Sequence, residues 1–231
     1  MTDEDIAVRA DALSRGFGDR WALAGVNLRV RAGSSLLLAG HNGAGKTTLL
    51  RILAGLLRPT SGTVSVGGVD PGRDLRGARR KVSLIAHQGQ HYLDLSAGEN
   101  LRLAAQLLGK DAGRVTAVLE RVGLADRADD PVRTFSAGMR KRLAFGRILL
   151  QEPAVVLLDE PWGQLDPAGF RFVDGLLREL TDQGVAVIVA THLVERAGGL
   201  LEHGLLLSGG RPTWVGAASD LHEALNAEGA A

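Results

Sequence analysis

The chain of 231 residues has no cysteine. Disulfide bonds, thiol catalysis and Cys-ligated zinc are therefore excluded. Aromatic residues make up only 4% of it, with a single tyrosine. A dominant charge is also missing: 27 Lys and Arg face 26 Asp and Glu, for a net charge of +1. That balance excludes a broadly basic nucleic-acid binder, and no nucleic-acid partner is expected. No apolar run approaches the roughly 18–20 residues of a membrane span. The longest runs, Ala154–Leu158 and Val185–Ala190, are strand-sized. The opening MTDEDIAVRA is acidic and lacks an apolar centre, so it does not read as a secretory signal. A cytoplasmic location is expected, with membrane attachment only through a partner chain.

What is present is ordinary globular composition, 45% hydrophobic and 23% charged, with an excess of glycine at 31 residues. Residues 1–231 are expected to form one α/β domain. Ile6, Val8 and Ala10 alternate with polar neighbours, as do Val26, Leu28 and Val30, which reads as strands of an N-terminal antiparallel β subdomain. Ser34–Ala39 is a compact apolar run typical of a buried strand. Between about residues 89 and 152 the period changes: Leu101, Ala104, Ala105 and Leu108, then Val115, Val118, Leu119 and Val122, recur at helical spacing. This stretch is expected to be an inserted helical subdomain. After it, VVLLD, Phe170–Leu180, GVAVIVAT and Leu193–Leu201 alternate strand and helix, which implies parallel βαβ units. The last residues, NAEGAA, are expected to fray.

The sharpest motif is Gly40, His41, Asn42, Gly43, Ala44, Gly45, Lys46, Thr47, followed by Thr48. It fits G-x-x-x-x-G-K-[ST] at every fixed position, between a strand and a helix. Gly40, Gly43 and Gly45 let the backbone curl so that N–H groups converge on an anion. The helix starting near Lys46 aims its positive end at the same phosphates. Lys46 supplies a mobile charge for the β and γ oxygens, and Thr47 a hydroxyl for Mg²⁺. A second motif is AVVLLDEP, residues 154–161, where a buried strand delivers Asp159 and Glu160 to its carboxyl end. Ligands of open α/β sheets sit outside that end. Asp159 is expected to hold Mg²⁺, and Glu160 to polarise the attacking water as general base.

Further segments narrow the reading. Phe135-Ser-Ala-Gly-Met-Arg140 opens a helix, Gly163-Gln-Leu-Asp166 follows the acidic pair, Thr191-His192 closes a strand, and Gln88 follows the strand VSLIA. In order and spacing these resemble the nucleotide-binding domain of ABC transporters over nearly the whole chain. The resemblance implies a RecA-like phosphate-loop core, ATP and Mg²⁺ as cofactors, and transport-coupled ATP hydrolysis. It implies that Phe17 stacks on adenine and that Gln88 senses the γ-phosphate and Mg²⁺. Ser136 and Gly138 match the signature motif, Asp166 the D-loop, and His192 the switch histidine that reaches the γ-phosphate or attacking water. Phe135, Ala137 and Met139 depart from the commonest signature, Leu-Ser-Gly-Gly-Gln, and Met139 removes a side-chain amide. The resemblance also implies a head-to-tail pair of subunits, most simply a homodimer. A separate transmembrane permease would hold the pair at the cytoplasmic face of the membrane.

For cargo, His-Gln-Gly at 87–89 followed by Leu-Ser-Ala-x-Glu-Asn-Leu at 95–101 resembles the haem-exporter ATP-binding subunits of cytochrome c maturation. Haem export is the expectation from that segment. The alternatives are another ABC-2-type exporter of lipid, polysaccharide or drug, and a soluble ABC ATPase of DNA repair or translation. His87 and His91 stand four apart and are read as flanking a partner-contact loop rather than as metal or haem ligands. The basic run Arg76–Lys81 is read as a solvated face, with contact to acidic lipid as the alternative.

Overall fold

The structure is a computed structural model that describes residues 5–86 and 91–229. The chain divides into two compact units. The first comprises residues 1–84, 154–160 and 176–231, and the second residues 85–153 and 161–175.

The first unit opens with a three-stranded antiparallel sheet. Strands β1 (Ile6–Phe17) and β2 (Arg20–Arg31) form a long hairpin, and β4 (Ser61–Val66) pairs on the other side of β1. The alternation seen in sequence sets the faces: Val26, Leu28 and Val30 are buried while their neighbours are exposed. Strand β3 (Ser35–Ala39) is buried at every position, because it lies inside a second sheet of order β5-β6-β7-β3-β8-β9. There β5 is Val82–Ile85, β6 is Val155–Asp159, β7 is Ala186–Ala190, β8 is His203–Ser208 and β9 is Arg211–Ala217. β3 runs parallel to both β7 and β8, and β6 runs parallel to β7. β9 closes the edge antiparallel to β8. Continuous burial along β3, β6 and β7 explains their unbroken apolar sequences.

Helix α1 (Lys46–Leu53) follows β3 and buries Leu49, Leu50, Ile52 and Leu53 in a core shared with β1, β2 and the parallel strands. Burial of each such side chain contributes roughly 1.5–3 kcal/mol. Helix α2 (Leu75–Lys81) precedes β5. Near the carboxyl end, α7 (Val194–Gly198) is shorter than the apolar stretch Leu193–Leu201 suggests, because Gly198 and Gly199 end it. Helix α8 runs over Leu221–Gly229, so the expected fraying is corrected for residues 226–229, which are helical.

The second unit is helical. It contains α3 (Ala97–Leu108), α4 (Val115–Arg121) and α5 (Ala137–Gln151), which pack pairwise. Ser96 caps α3 with a reciprocal bond to Glu99, a capping box. Helix α6 (Pro167–Asp182) starts in this unit, and the division between units falls within it. The unit thus takes in residues 161–175 besides the stretch near 89–152 expected to be helical.

Candidate active site

The loop between β3 and α1 is the first component. Gly40 (φ 144°) and Gly45 (φ 106°) hold left-handed backbone, and there is no room for a Cβ at either. At Gly40 it would collide with the Leu207 carbonyl, and at Gly45 with the Ala22 carbonyl of β2. Gly45 is also the N-cap of α1 and offers no side-chain cap to the first helical N–H groups. Those donors therefore face the concavity of the loop. Ala44 N–H donates to the His41 carbonyl (3.1 Å), and Gly210 N–H donates to the Ala44 carbonyl (3.2 Å). His41, Asn42 and Gly43 form the exposed crest of the loop.

Lys46 folds back over this loop and donates from Nζ to the carbonyls of Gly40 and His41, the latter at 3.1 Å. Burial pushes its ammonium below the ordinary lysine range, and the nearby Glu160 and Asp159 carboxylates offset part of that. Thr47 Oγ1 donates to Asp159 Oδ2 at 2.9 Å, across 112 residues of sequence. Thr48 lies in the first turn of α1.

The second component is the carboxyl edge of β6 and β7. Asp159 ends β6, and Glu160 takes φ 53°, an uncommon left-handed geometry for a non-glycine residue. Its N–H donates to the Ala190 carbonyl at the end of β7 (2.8 Å). This turn breaks the alternation of the strand, so two consecutive acids can serve one site. The Glu160 carboxylate receives three donors: Thr191 Oγ1 at 2.9 Å on Oε2, His192 Nδ1 at 2.9 Å on Oε2, and His192 N–H at 3.0 Å on Oε1. Thr191 is fully buried, and its Oγ1 also accepts from Leu193 N–H (3.1 Å). Thr191, named in the sequence only as closing a strand, was given no place beside Glu160 by sequence reasoning. Its signal was a hydroxyl at the end of an apolar strand, which β propensity alone accounts for.

The other expected residues belong to other elements. Phe17 ends β1 and is 51% exposed, and the Arg15 guanidinium sits 4.6 Å from its ring centroid. In the second unit Ser136 caps α5 by accepting from Met139 N–H (3.2 Å). Gly138 lies against the Gln164 carbonyl. Asp166 Oδ1 accepts from Gly169 N–H (2.7 Å) in the first turn of α6. Lys141 ties α5 to the segment before α6 by donating to the Gly163 carbonyl (2.8 Å). Gln88 and His87 lie outside the described residues. His91 Nε2 contacts the Arg140 carbonyl at 2.9 Å. Among the described residues, no group of three or more His, Cys, Asp or Glu side chains could hold a metal ion by itself.

The residues present fit a nucleoside triphosphate and Mg²⁺. A glycine cradle that no Cβ could enter suits phosphate, and a hydroxyl beside a carboxylate is a hard oxygen donor set. Mg²⁺ is held by few protein ligands and by phosphate oxygens, which agrees with a two-residue set.

A phosphate loop between β3 and α1, with an acidic pair at the end of β6, two strands away in the sheet, defines a phosphate-loop nucleotide-binding α/β protein. Comparison with known proteins makes the class specific. The ABC transporter family model matches residues 23–163. The chain is similar to the daunorubicin resistance ATP-binding protein DrrA3 of Streptomyces coeruleorubidus, 38% identical over 94% of this chain and 70% of that protein. It is also similar to the linearmycin resistance ATP-binding protein LnrL of Bacillus subtilis, 30% identical over 93% of this chain and 70% of that protein. Among solved structures it resembles a dimeric, post-hydrolysis ATP-binding cassette bound to ADP and phosphate. That likeness has a TM-score of 0.83 and 26% identity, over 91% of this chain and 98% of that one. The chain belongs to the ABC transporter family; it has the ABC ATPase fold and is an ATP hydrolase of that type. No helix among the described residues is long and apolar enough to cross a membrane.

Proposed function

We propose that this chain is the ATPase subunit of an exporter of the drug and antibiotic resistance type, working as a pair of copies on a separate membrane permease. The names of its relatives support this cargo class, daunorubicin and linearmycin resistance, and not the haem export expected from residues 87–101. The dimeric cassette it resembles supports the paired arrangement.

The observation that carries the mechanism is the three-point seat of Glu160 at the strand edge beside Lys46 and Thr47. The loop N–H groups and Lys46 bind the triphosphate, Lys46 exchanging the Gly40 and His41 carbonyls for β and γ oxygens. Thr47 and Asp159 would hold Mg²⁺, which when bound neutralises charge on those oxygens. A carboxylate without its proton only accepts, so Glu160 can take one. It receives a proton from the attacking water as the water oxygen bonds to the γ-phosphorus. The bond to the β-phosphate oxygen breaks, and ADP leaves with that electron pair. Phe17 stacks on the base. Ser136 and Gly138 at the start of α5, with Asp166, complete the pocket of the second copy.

Glu160→Gln tests this directly. The amide keeps the size of the side chain but cannot take a proton. The variant should bind ATP as the parent does and accumulate a nucleotide-bound dimer. Its turnover should fall about 10²–10⁴-fold, the usual worth of general-base catalysis. Turnover at the parent rate would remove Glu160 from the reaction. Cargo is tested separately, by whether the chain with its permease lowers drug accumulation in cells.

A further inference from the structure

One of the chain's basic segments lies on and just before α2. Residues 70–81 carry Arg73, Arg76, Arg79, Arg80 and Lys81 against Asp70 and Asp74. The rest of the chain carries 22 cations against 24 carboxylates. Both acids of the segment are engaged locally. Asp74 caps α2 by accepting from Gly77 N–H (2.8 Å). Asp70 accepts from Gly72 N–H (2.7 Å) and stands 3.5 Å from Arg73.

Helix α2 lies on the carboxyl end of α1. Arg79 donates to the Gly55 carbonyl at 3.1 Å, and Leu75 packs so closely that a Cβ on Gly55 would stand 2.8 Å from its Cδ1. Ala78 is the buried residue of α2. At 100° per residue, Arg76 and Arg80 share the opposite, outward side of the helix. Arg73, Arg76, Arg80 and Lys81 are all exposed. Beside them is a groove of about 380 Å³ lined by Leu56, Leu57, Pro71 and Leu75, with Arg58 and Arg79. Leu56 is 54% exposed and Leu75 39%.

We propose that this face docks on the anionic surface of a lipid bilayer. Headgroup phosphates meet the arginines of α2, while Leu56 and Leu75 enter the boundary between headgroups and acyl chains. Cations beside exposed leucines are the two chemistries of an interfacial membrane contact. Charge selects the occupant: five cations, against two carboxylates that are engaged locally, complement an anionic lipid surface. The proposal rests on the exporter reading only for the presence of a membrane, where such a contact would fix how each subunit lies against the bilayer.

The test uses the full chain with saturating ATP and vesicles of phosphatidylcholine with or without phosphatidylglycerol. Flotation measures binding and phosphate release measures hydrolysis. Binding is expected only with phosphatidylglycerol, weakening at high salt. Each cation near the surface is worth about fivefold in partition (~1 kcal/mol), so Arg73→Gln, Arg76→Gln and Arg80→Gln together should weaken it on the order of a hundredfold. Hydrolysis in solution should be unchanged. If the triple variant fails to fold, Arg76→Gln alone should show the fivefold loss. Leu75→Ser should reduce the binding that persists at high salt, and free inorganic phosphate should not displace the protein from vesicles. Equal binding to both vesicle types, no vesicle binding, or parent-like binding by the folded variants overturns the proposal. So does capture by an acidic peptide without capture by vesicles. None of these outcomes bears on the exporter reading, which fails only with ATP hydrolysis or transport.

Discussion

Glu160 and His192 are joined at two points: the backbone N–H of His192 meets Oε1 at 3.0 Å, and its ring Nδ1 meets Oε2 at 2.9 Å. The ring itself stays 73% exposed. With Nδ1 bonded to the carboxylate, Nε2 is the outward nitrogen, free to face a phosphate or water. One residue thus both seats the acid and presents a second polar group.

Thr191 completes that seat, and its loss should be visible separately from the loss of His192. Thr191→Val preserves shape but removes the hydroxyl that donates to Glu160 and accepts from Leu193 N–H. The Leu193 amide is only partly buried, so losing its acceptor costs about 1 kcal/mol, the low end for an unsatisfied group. We expect a lower urea midpoint, and kcat down about tenfold with KM for ATP little changed, since a misoriented base acts on the chemical step. His192→Ala should lower kcat further while sparing the urea midpoint, because its ring is exposed. Denaturant curves and steady-state kinetics on both variants check this pattern.

Lys46 carries a stability cost in the nucleotide-free protein. Burial lowers its pKa below 10.5, so folding disfavours its charged form. Below the folded value both states hold the proton and the penalty is fully present. As pH rises through the folded value toward 10.5, the unfolded state binds more protons and stability is regained. Lys46→Met should therefore unfold at higher urea than the parent near neutral pH, and the gap should close as pH climbs toward 10.5. The same variant should lose ATP binding. A parent protein more stable than the variant at neutral pH would reverse the sign of this argument.

Much of this arrangement is legible in the sequence because it is written in glycine spacing and apolar runs. The loop from Gly40 to Thr48 and the strand before Asp159 fall where those patterns place them. The positive φ of Glu160 is not legible, because it depends on a hydrogen bond to Ala190, a partner 30 residues away. Thr191 is hidden for a related reason: a β-branched residue at a strand end looks structural until its hydroxyl is seen between an acid and an amide. The groove beside α2 could not be read from the basic run alone. It depends on Leu75 and Arg79 reaching Gly55 on a different element.

Phe17 and Arg15 form a second testable pair. The guanidinium 4.6 Å from the ring centroid covers one face, and Arg15 Nη1 is anchored to the Arg58 carbonyl at 3.1 Å. The cation therefore backs the ring, whose other face would take adenine. Phe17→Ala should weaken ATP binding about 5–100-fold, the range for one stacked base, and Phe17→Tyr should restore it. Arg15→Gln should cost only about two- to fivefold, as for an exposed cation–π contact. Fluorescence titration with a labelled nucleotide distinguishes the two effects. An Arg15 variant as weak as Phe17→Ala would mean that Arg15 contacts the nucleotide itself.

Ser136 and Gly138 should act on pairing rather than on the first binding of nucleotide, because both sit at the start of α5 in the second unit. Ser136→Ala removes the oxygen that accepts from Met139 N–H and should cost about 1 kcal/mol of stability. Gly138→Ala is a sharper probe, since its Cβ would stand 3.2 Å from the Gln164 carbonyl oxygen, tight enough to push the D-loop by a few tenths of an ångström. Combined with Glu160→Gln, each change should leave ATP affinity of the monomer near the Glu160→Gln value while reducing the trapped dimer. Sedimentation of the double variants with saturating ATP measures this. A dimer as abundant as with Glu160→Gln alone would place the partner's phosphate contact away from the start of α5.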